Sequence, residues 1–184
     1  MTSGRVTVLV SLASENMRRI LIGVLGPGEG AGQKEMDDAT LIGELVAKAG
    51  WGVLTGGRVA GVMGAAAKGA RAAGGLTVGL LPTPDTLGAS PAIDVVLATG
   101  LGEARNAVIA LSANACVVCG MNAGTASEVA LAIRAKKPVV LLRPDETTAK
   151  FFRMLDPDVV RASASAGEAI EVLRGVLMSG VRQL

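Results

Sequence analysis

The chain has no histidine and no tyrosine, and only one Trp and two Phe among its 184 residues. The missing imidazole removes every mechanism built on one, including His-dependent serine and cysteine triads and metal sites that need a His ligand. Acid–base chemistry is left to Asp, Glu, Lys, Arg and Cys. The few aromatic rings, Trp51, Phe151 and Phe152, make no platform on which bases could stack. The formal net charge is only +2, with no basic run, so a nucleic-acid groove is not expected.

Cysteine is also scarce. Cys116 and Cys119 form the motif CVVC, and a CxxC invites a redox or metal reading. On a strand, residues three apart point to opposite faces with Cα atoms roughly 10 Å apart, too far for a disulfide. No second Cys pair completes a zinc site, and no metal is expected. Two buried free thiols are the plainer reading, and they suit a reducing cytoplasm. Long apolar runs are missing too. The longest charge-free stretch, Asn106 to Ser127, holds Ser112, Asn114, Asn122 and a glycine turn, so it is not a spanning helix. "RVTVLVSLAS" near the start has no cationic lead and no cleavage site, so no targeting signal is read.

What is present is a folding composition. Half the residues are apolar and 18% are charged, which disfavours disorder. Strand-like runs alternate with helix-like runs from about residue 17 onward. "RRILIGVLGPGEG" gives a strand and a glycine turn. "MDDATLIGELVAKAG" has helical spacing, with Leu41, Leu45, Val46 and Ala49 on one face and Gly50 as its stop. "WGVLTGG", "LTVGLLP", "IDVVLATG", "ACVVCG" and "PVVLL" read as further strands, and "GVMGAAAKGARAAGG", "GEARNAVIALSAN" and "GTASEVALAIRAKK" as helices. "PTPDTLGASPA" reads as a loop, and the tail from "DVVRAS" as one more strand and a closing helix. The strands are continuous Val/Leu/Ile runs without alternation, the mark of a parallel sheet covered on both faces. The expectation is a single domain over 1–184: a Rossmann-like, doubly wound α/β fold with a mostly parallel sheet. Its core covers roughly 18–180, with 1–16 as an extra edge strand or an extension.

Ligands in such sheets bind at the carboxyl ends of the strands. Three glycine-rich turns fall there, each leading into a helix N-terminus that offers unpaired N–H groups to a phosphate. Gly28 lies in the first turn. Gly56, Gly57, Gly61 and Met63 lie in the second. Gly120, Met121, Asn122, Ala123, Gly124 and Thr125 lie in the third. Neither a GxGxxG fingerprint nor a GxxxxGK[ST] loop is present. Thr125-Ala126-Ser127-Glu128 reads locally as a capping box, with Thr125 as N-cap and Glu128 reaching back. Ala126, Val129, Ala130 and Ile133 then form the buried stripe. Arg105 opposes the dipole of its own helix. It either pairs with Glu103 or faces an anion beside Glu128.

The segments "TGGRVAGVMGAAAKGA", "GLGEARNAVIALSANA" and "GTASEVALAIRAKKPVVLL" resemble the LOG-like family, often labelled "possible lysine decarboxylase". The likeness covers roughly residues 18 to 145. It implies a Rossmann-like homodimer or homotetramer that binds a nucleoside 5′-monophosphate and hydrolyses its N-glycosidic bond. AMP or a cytokinin riboside monophosphate would be the substrate, with no cofactor required. The family's catalytic Arg and Glu fall on Arg105 and Glu128. The chain also resembles molybdenum-cofactor carrier proteins. That likeness implies the alternative of a non-catalytic carrier of a phosphorylated pterin, or a nucleotide sensor. Two departures mark the site. Met121 and Asn122 stand where the enzymes carry glycines, and Asn106 follows the Arg where the enzymes carry Lys. Nothing marks a lysine for decarboxylase chemistry.

Overall fold

The computed structural model describes residues 19–181. The extra edge strand or extension expected at 1–16 lies outside them. The described chain alternates β1 (Leu21–Leu25), α1 (Gln33–Lys48), β2 (Gly52–Thr55), α2 (Gly61–Ala72), β3 (Thr77–Leu81) and β4 (Val95–Ala98). A 3-10 turn, Gly102–Ala104, leads into α3 (Arg105–Ser112). Then follow β5 (Ala115–Cys119), α4 (Ala123–Arg134), β6 (Val139–Leu142), α5 (Glu146–Leu155), β7 (Val160–Ser163) and α6 (Ala166–Val181). The seven strands form one sheet in the order β4-β3-β2-β1-β5-β6-β7. Every pairing is parallel, as a chain that returns through helices requires. The Rossmann-like, doubly wound α/β architecture read from the sequence is the one observed.

Strand alternation divides the core in two. Ile22 and Val24 of β1, with Ala115, Val117 and Cys119 of β5, face the layer of α1, α2 and α6. Leu25, Cys116, Val118 and Leu141 face the layer of α3, α4 and α5. Each fully buried Ile or Leu here contributes about 1.5–3 kcal/mol. The two cysteines therefore point to opposite faces, and both are free and buried. Burial pushes each thiol up to about 12, so neither is a nucleophile at neutral pH.

The helices depart from the sequence pattern in informative ways. Helix α1 buries Ala39, Ile42, Gly43 and Val46, while Leu41 is 43% exposed. The stripe is rotated because α2 crosses at backbone distance. A Cβ at Gly43 would overlap the Ala66 carbonyl, and one at Gly69 would overlap that of Thr40. Helix α5 was not expected at all. Asp145 starts it by accepting hydrogen bonds from the Thr148 backbone N–H at 2.9 Å and from the Thr148 hydroxyl at 2.6 Å, and Phe152 anchors it. Strand β4 lies at the sheet edge with Val95 and Leu97 exposed, so cover on both faces does not extend to it.

Helix α4 corrects the capping box. It begins at Ala123, with Asn122 as N-cap. The Asn122 side-chain oxygen accepts from the Thr125 backbone N–H at 2.8 Å and from the Thr125 hydroxyl at 2.9 Å. Thr125 is thus the third helical residue, and Glu128 lies a turn too far along to cap. The buried side of α4 carries Thr125, Glu128, Val129, Ala132 and Ile133; Ala130 is exposed.

Candidate functional site

The chain leaves β1 toward β2 on one side and later returns to pair β5 on the other. A crevice opens at the carboxyl ends of strands where the winding reverses in this way. Here it is a cleft of about 150 Å³. The end of β1 gives it Val24, Leu25 and Gly26. Gly28, Gly56 and Met63 come from the first two glycine turns and the start of α2. Glu103, Arg105 and Asn106 come from the start of α3, and Asn122, Gly124, Thr125 and Glu128 from α4.

Among the candidate residues, Gly28, Gly56, Met63, Asn122, Gly124, Thr125, Arg105 and Glu128 thus meet in one place. Others do not line it. Gly57 is buried behind the cleft, where a Cβ would stand 3.1 Å from the Cα of Gly79. Gly61 supports the wall: its φ of 52° and missing side chain let α2 start against the carbonyls of Pro27 and Gly28, a conformation open to glycine. Gly120 and Met121 line a separate hollow. Ala123 is exposed at the first helical position and lines neither. Its N–H and that of Gly124 precede the first intrahelical bond of α4, and so face solvent or a ligand.

Arg105 and Glu128 come from adjacent helices whose N-terminal ends converge. Arg105 Nη1 lies 3.6 Å from Glu128 Oε1, with the two side chains 9% and 10% exposed. This is an ion pair without a hydrogen bond. It decides between the two accounts of Arg105 in favour of a position beside Glu128. Gly56 makes room for it, because a Cβ there would stand 2.8 Å from both terminal guanidinium nitrogens and 2.5 Å from Met63 Sδ.

The electrostatics are those of a dry wall. Burial pushes the Glu128 carboxyl up to about 7 despite the attraction of Arg105, and Glu103 adds to the rise. Burial also holds Arg105 below its ordinary value; Glu128 and Glu103 push it back up, and Arg58 adds to the fall. Among the described residues, two buried side-chain polar atoms have no hydrogen-bond partner, Arg105 Nε and Asn106 Oδ1. Sequence reasoning missed Asn106 as a contact, together with Glu103 and Gly26. Only the neighbour position of Asn106 after Arg105 could have signalled it. No group of His, Cys, Asp and Glu suited to a metal ion occurs among the described residues, and no described helix is long and apolar enough to cross a membrane.

This geometry sits in a recognisable lineage. The SLOG cluster4 family matches residues 19–170. The chain belongs to that family. An uncharacterised protein of Archaeoglobus fulgidus is 40% identical over 128 residues, 70% of this chain and 83% of that one. Two solved structures carry the same fold. The molybdenum cofactor binding protein of the phototrophic bacterium Rippkaea orientalis is 43% identical, with a TM-score of 0.85 over 88% of this chain and 99% of that one. The molybdenum cofactor carrier protein of Chlamydomonas reinhardtii is 47% identical, with a TM-score of 0.84 over the same shares, 88% and 99%. The SLOG cluster4 match spans all the elements that build the cleft, from β1 to α4.

Proposed function

We propose that the protein binds a phosphorylated pterin, the molybdenum cofactor, as cargo in this cleft and carries it without cleavage. The observation that carries the reading is the pair of buried, unpartnered polar atoms, Arg105 Nε and Asn106 Oδ1, beside the first-turn N–H groups of α4. An anion accepts from such a helix end, and a pterin supplies both donors and acceptors for the rest. The likeness to two proteins named for this cofactor, at 43% and 47% identity, supports that choice of ligand. Ordinary small-molecule pockets hold about 300–1,000 Å³. A cleft of about 150 Å³ suits the phosphate-bearing end, with the remainder of the ligand over the open mouth. The cytoplasmic location and the homo-oligomer expected from the sequence belong to the same proposal.

A second reading has its own observation. A carboxyl pushed up to about 7 and set beside Arg105 is tuned for general acid–base work. On that reading the protein is a 5′-monophosphate phosphoribohydrolase. Glycosidic cleavage also calls for an anion to stabilise an oxocarbenium-like sugar, and burial works against the charged form of Glu128. That weighs toward carriage.

One experiment separates the two. Anaerobically prepared protein is incubated with molybdenum cofactor and passed through a desalting column. Bound pterin is read by fluorescence after oxidation, and molybdenum by mass spectrometry. Parallel samples with AMP and a cytokinin riboside monophosphate are chromatographed for free base. Cofactor retained near one per chain, with no free base, is the expected result. Free base from the native protein and none from Glu128→Ala replaces carriage with hydrolysis.

A further inference from the structure

Asn106 is the second residue of α3, and it is only 6% exposed. A buried amide oxygen almost always finds a donor, and this one has none. The adjacent Arg105 has the complementary defect, since its Nε–H donor is equally shielded and equally unpartnered. One orphaned atom is an exception to be explained. A donor and an acceptor orphaned on consecutive residues that line the same cleft call for a ligand that offers both an acceptor and a donor. The contact of Arg105 with Glu128, 3.6 Å with no hydrogen bond, is made by Nη1 and does not engage the Nε–H.

We propose that Asn106 is a specificity-determining residue of the cleft. Its side-chain oxygen accepts a hydrogen bond from an N–H or O–H of the ligand, while Arg105 Nε donates to an acceptor on the same ligand. The inference rests on the reading that the cleft holds a phosphorylated ligand, and it narrows the ligand's chemistry. An anion alone satisfies Arg105 and leaves Asn106 unpaired. A heterocycle with an amide or amino edge, or a sugar hydroxyl, satisfies both.

The signature is a pair of effects with opposite signs. An unpaired buried acceptor burdens the free protein, and replacing it with an apolar group of the same shape is neutral or stabilising. The same replacement removes a contact from the complex. Asn106→Leu therefore keeps or raises the melting temperature of the ligand-free protein, by roughly 0–4 °C, and weakens molybdenum cofactor binding about tenfold or more. Binding of inorganic sulfate, a dianion that at pH 8 offers no donor, is unchanged.

The test is titration calorimetry of native protein and Asn106→Leu with both probes, beside thermal unfolding without ligand. Selective loss of cofactor affinity at a held melting temperature is the expected result. Equal loss of both affinities, or a fall in melting temperature, makes Asn106 a structural residue and overturns the proposal. Unchanged cofactor affinity overturns it too. If Asn106→Leu does not fold, Asn106→Ala is read by its ratio of cofactor to sulfate affinity. Native protein that binds sulfate but no cofactor overturns the reading of the cleft as a pterin site, an outcome distinct from any failure confined to the variant.

Discussion

Two hollows open at the carboxyl edge of the sheet, and the turn Gly120–Thr125 contributes to both. The hollow beside β5 and β6 is the larger, about 360 Å³ against about 150 Å³. Its charged side chains already have partners. Arg143 Nη1 donates to both carboxylate oxygens of Asp38, at 2.6 and 2.8 Å, and Nε donates to the Ala164 carbonyl at 3.0 Å. Asp145 caps α5, and Glu35 accepts from the Gly32 backbone N–H at 2.8 Å. The smaller cleft keeps a buried donor and a buried acceptor unmet. Size alone would choose the other hollow from the one proposed as the site. Unmet hydrogen bonding marks the place where a second molecule lowers the free energy, because only there does binding complete a deficit that folding left.

The largest effect that would break this contrast comes from Gly56→Val. The new side chain takes the space of the Arg105 guanidinium and Met63. Ligand affinity should fall about a hundredfold, on the scale of a central interface residue, while far-ultraviolet circular dichroism keeps its native shape. A variant that binds normally would show that Arg105 is dispensable.

Glu128 gives an intermediate effect, readable through pH. Its folded value is raised from 4.5 to about 7 by burial, so the folded state holds the proton more tightly than the unfolded chain. The resulting stability is fully present below about pH 4.5 and is lost as pH rises through about 7. Glu128→Gln should remove that decline. At pH 8 it should be the more stable protein, by on the order of 2 kcal/mol once screening at the open mouth is allowed for. Parallel melting curves of the two proteins from pH 4 to 8 would refute the burial argument. The smallest effect sharpens the contrast from the other side. Asp145→Ala removes the cap of α5 at the satisfied hollow. It should give a small fall in melting temperature and leave cofactor affinity unaltered.

The sequence made the sheet readable because most strands are short, largely apolar runs, and β1, β2, β4 and β5 lead into glycine turns. It made the cleft readable through the same glycines. Two features were not readable, each for a local reason. Asn122 and Thr125 both have side chains that cap helices, and the Thr-x-x-Glu spacing favoured the later start. The choice of Asn122 frees Glu128 to face Arg105 across a helix pair, a tertiary fact without a local signal. Helix α5 was missed because Phe151, Phe152, Met154 and Leu155 cluster instead of repeating. Its one strong signal is the Asp145 and Thr148 pair. Asn106 was seen only as a departure from a family pattern. Its meaning depends on what fails to reach its oxygen, and no sequence window contains that.

The central position of β1 has a consequence for how the protein is made. Its edge toward β5 closes between segments 93 residues apart, where the Leu21 backbone N–H donates to the Asn114 side chain at 2.8 Å. Parallel pairing over such a span is slow to form. During synthesis, the apolar edge of β1 stays open until β5 emerges, and a chain stopped short of Ala115 would present that edge to its neighbours. The cleft lies at the top of this same seam, with Val24 and Leu25 on one side and the start of α4 on the other. A ligand held there would clasp the joint between the paired strands most distant in sequence, β1 and β5, so its binding and completion of the sheet would favour one another.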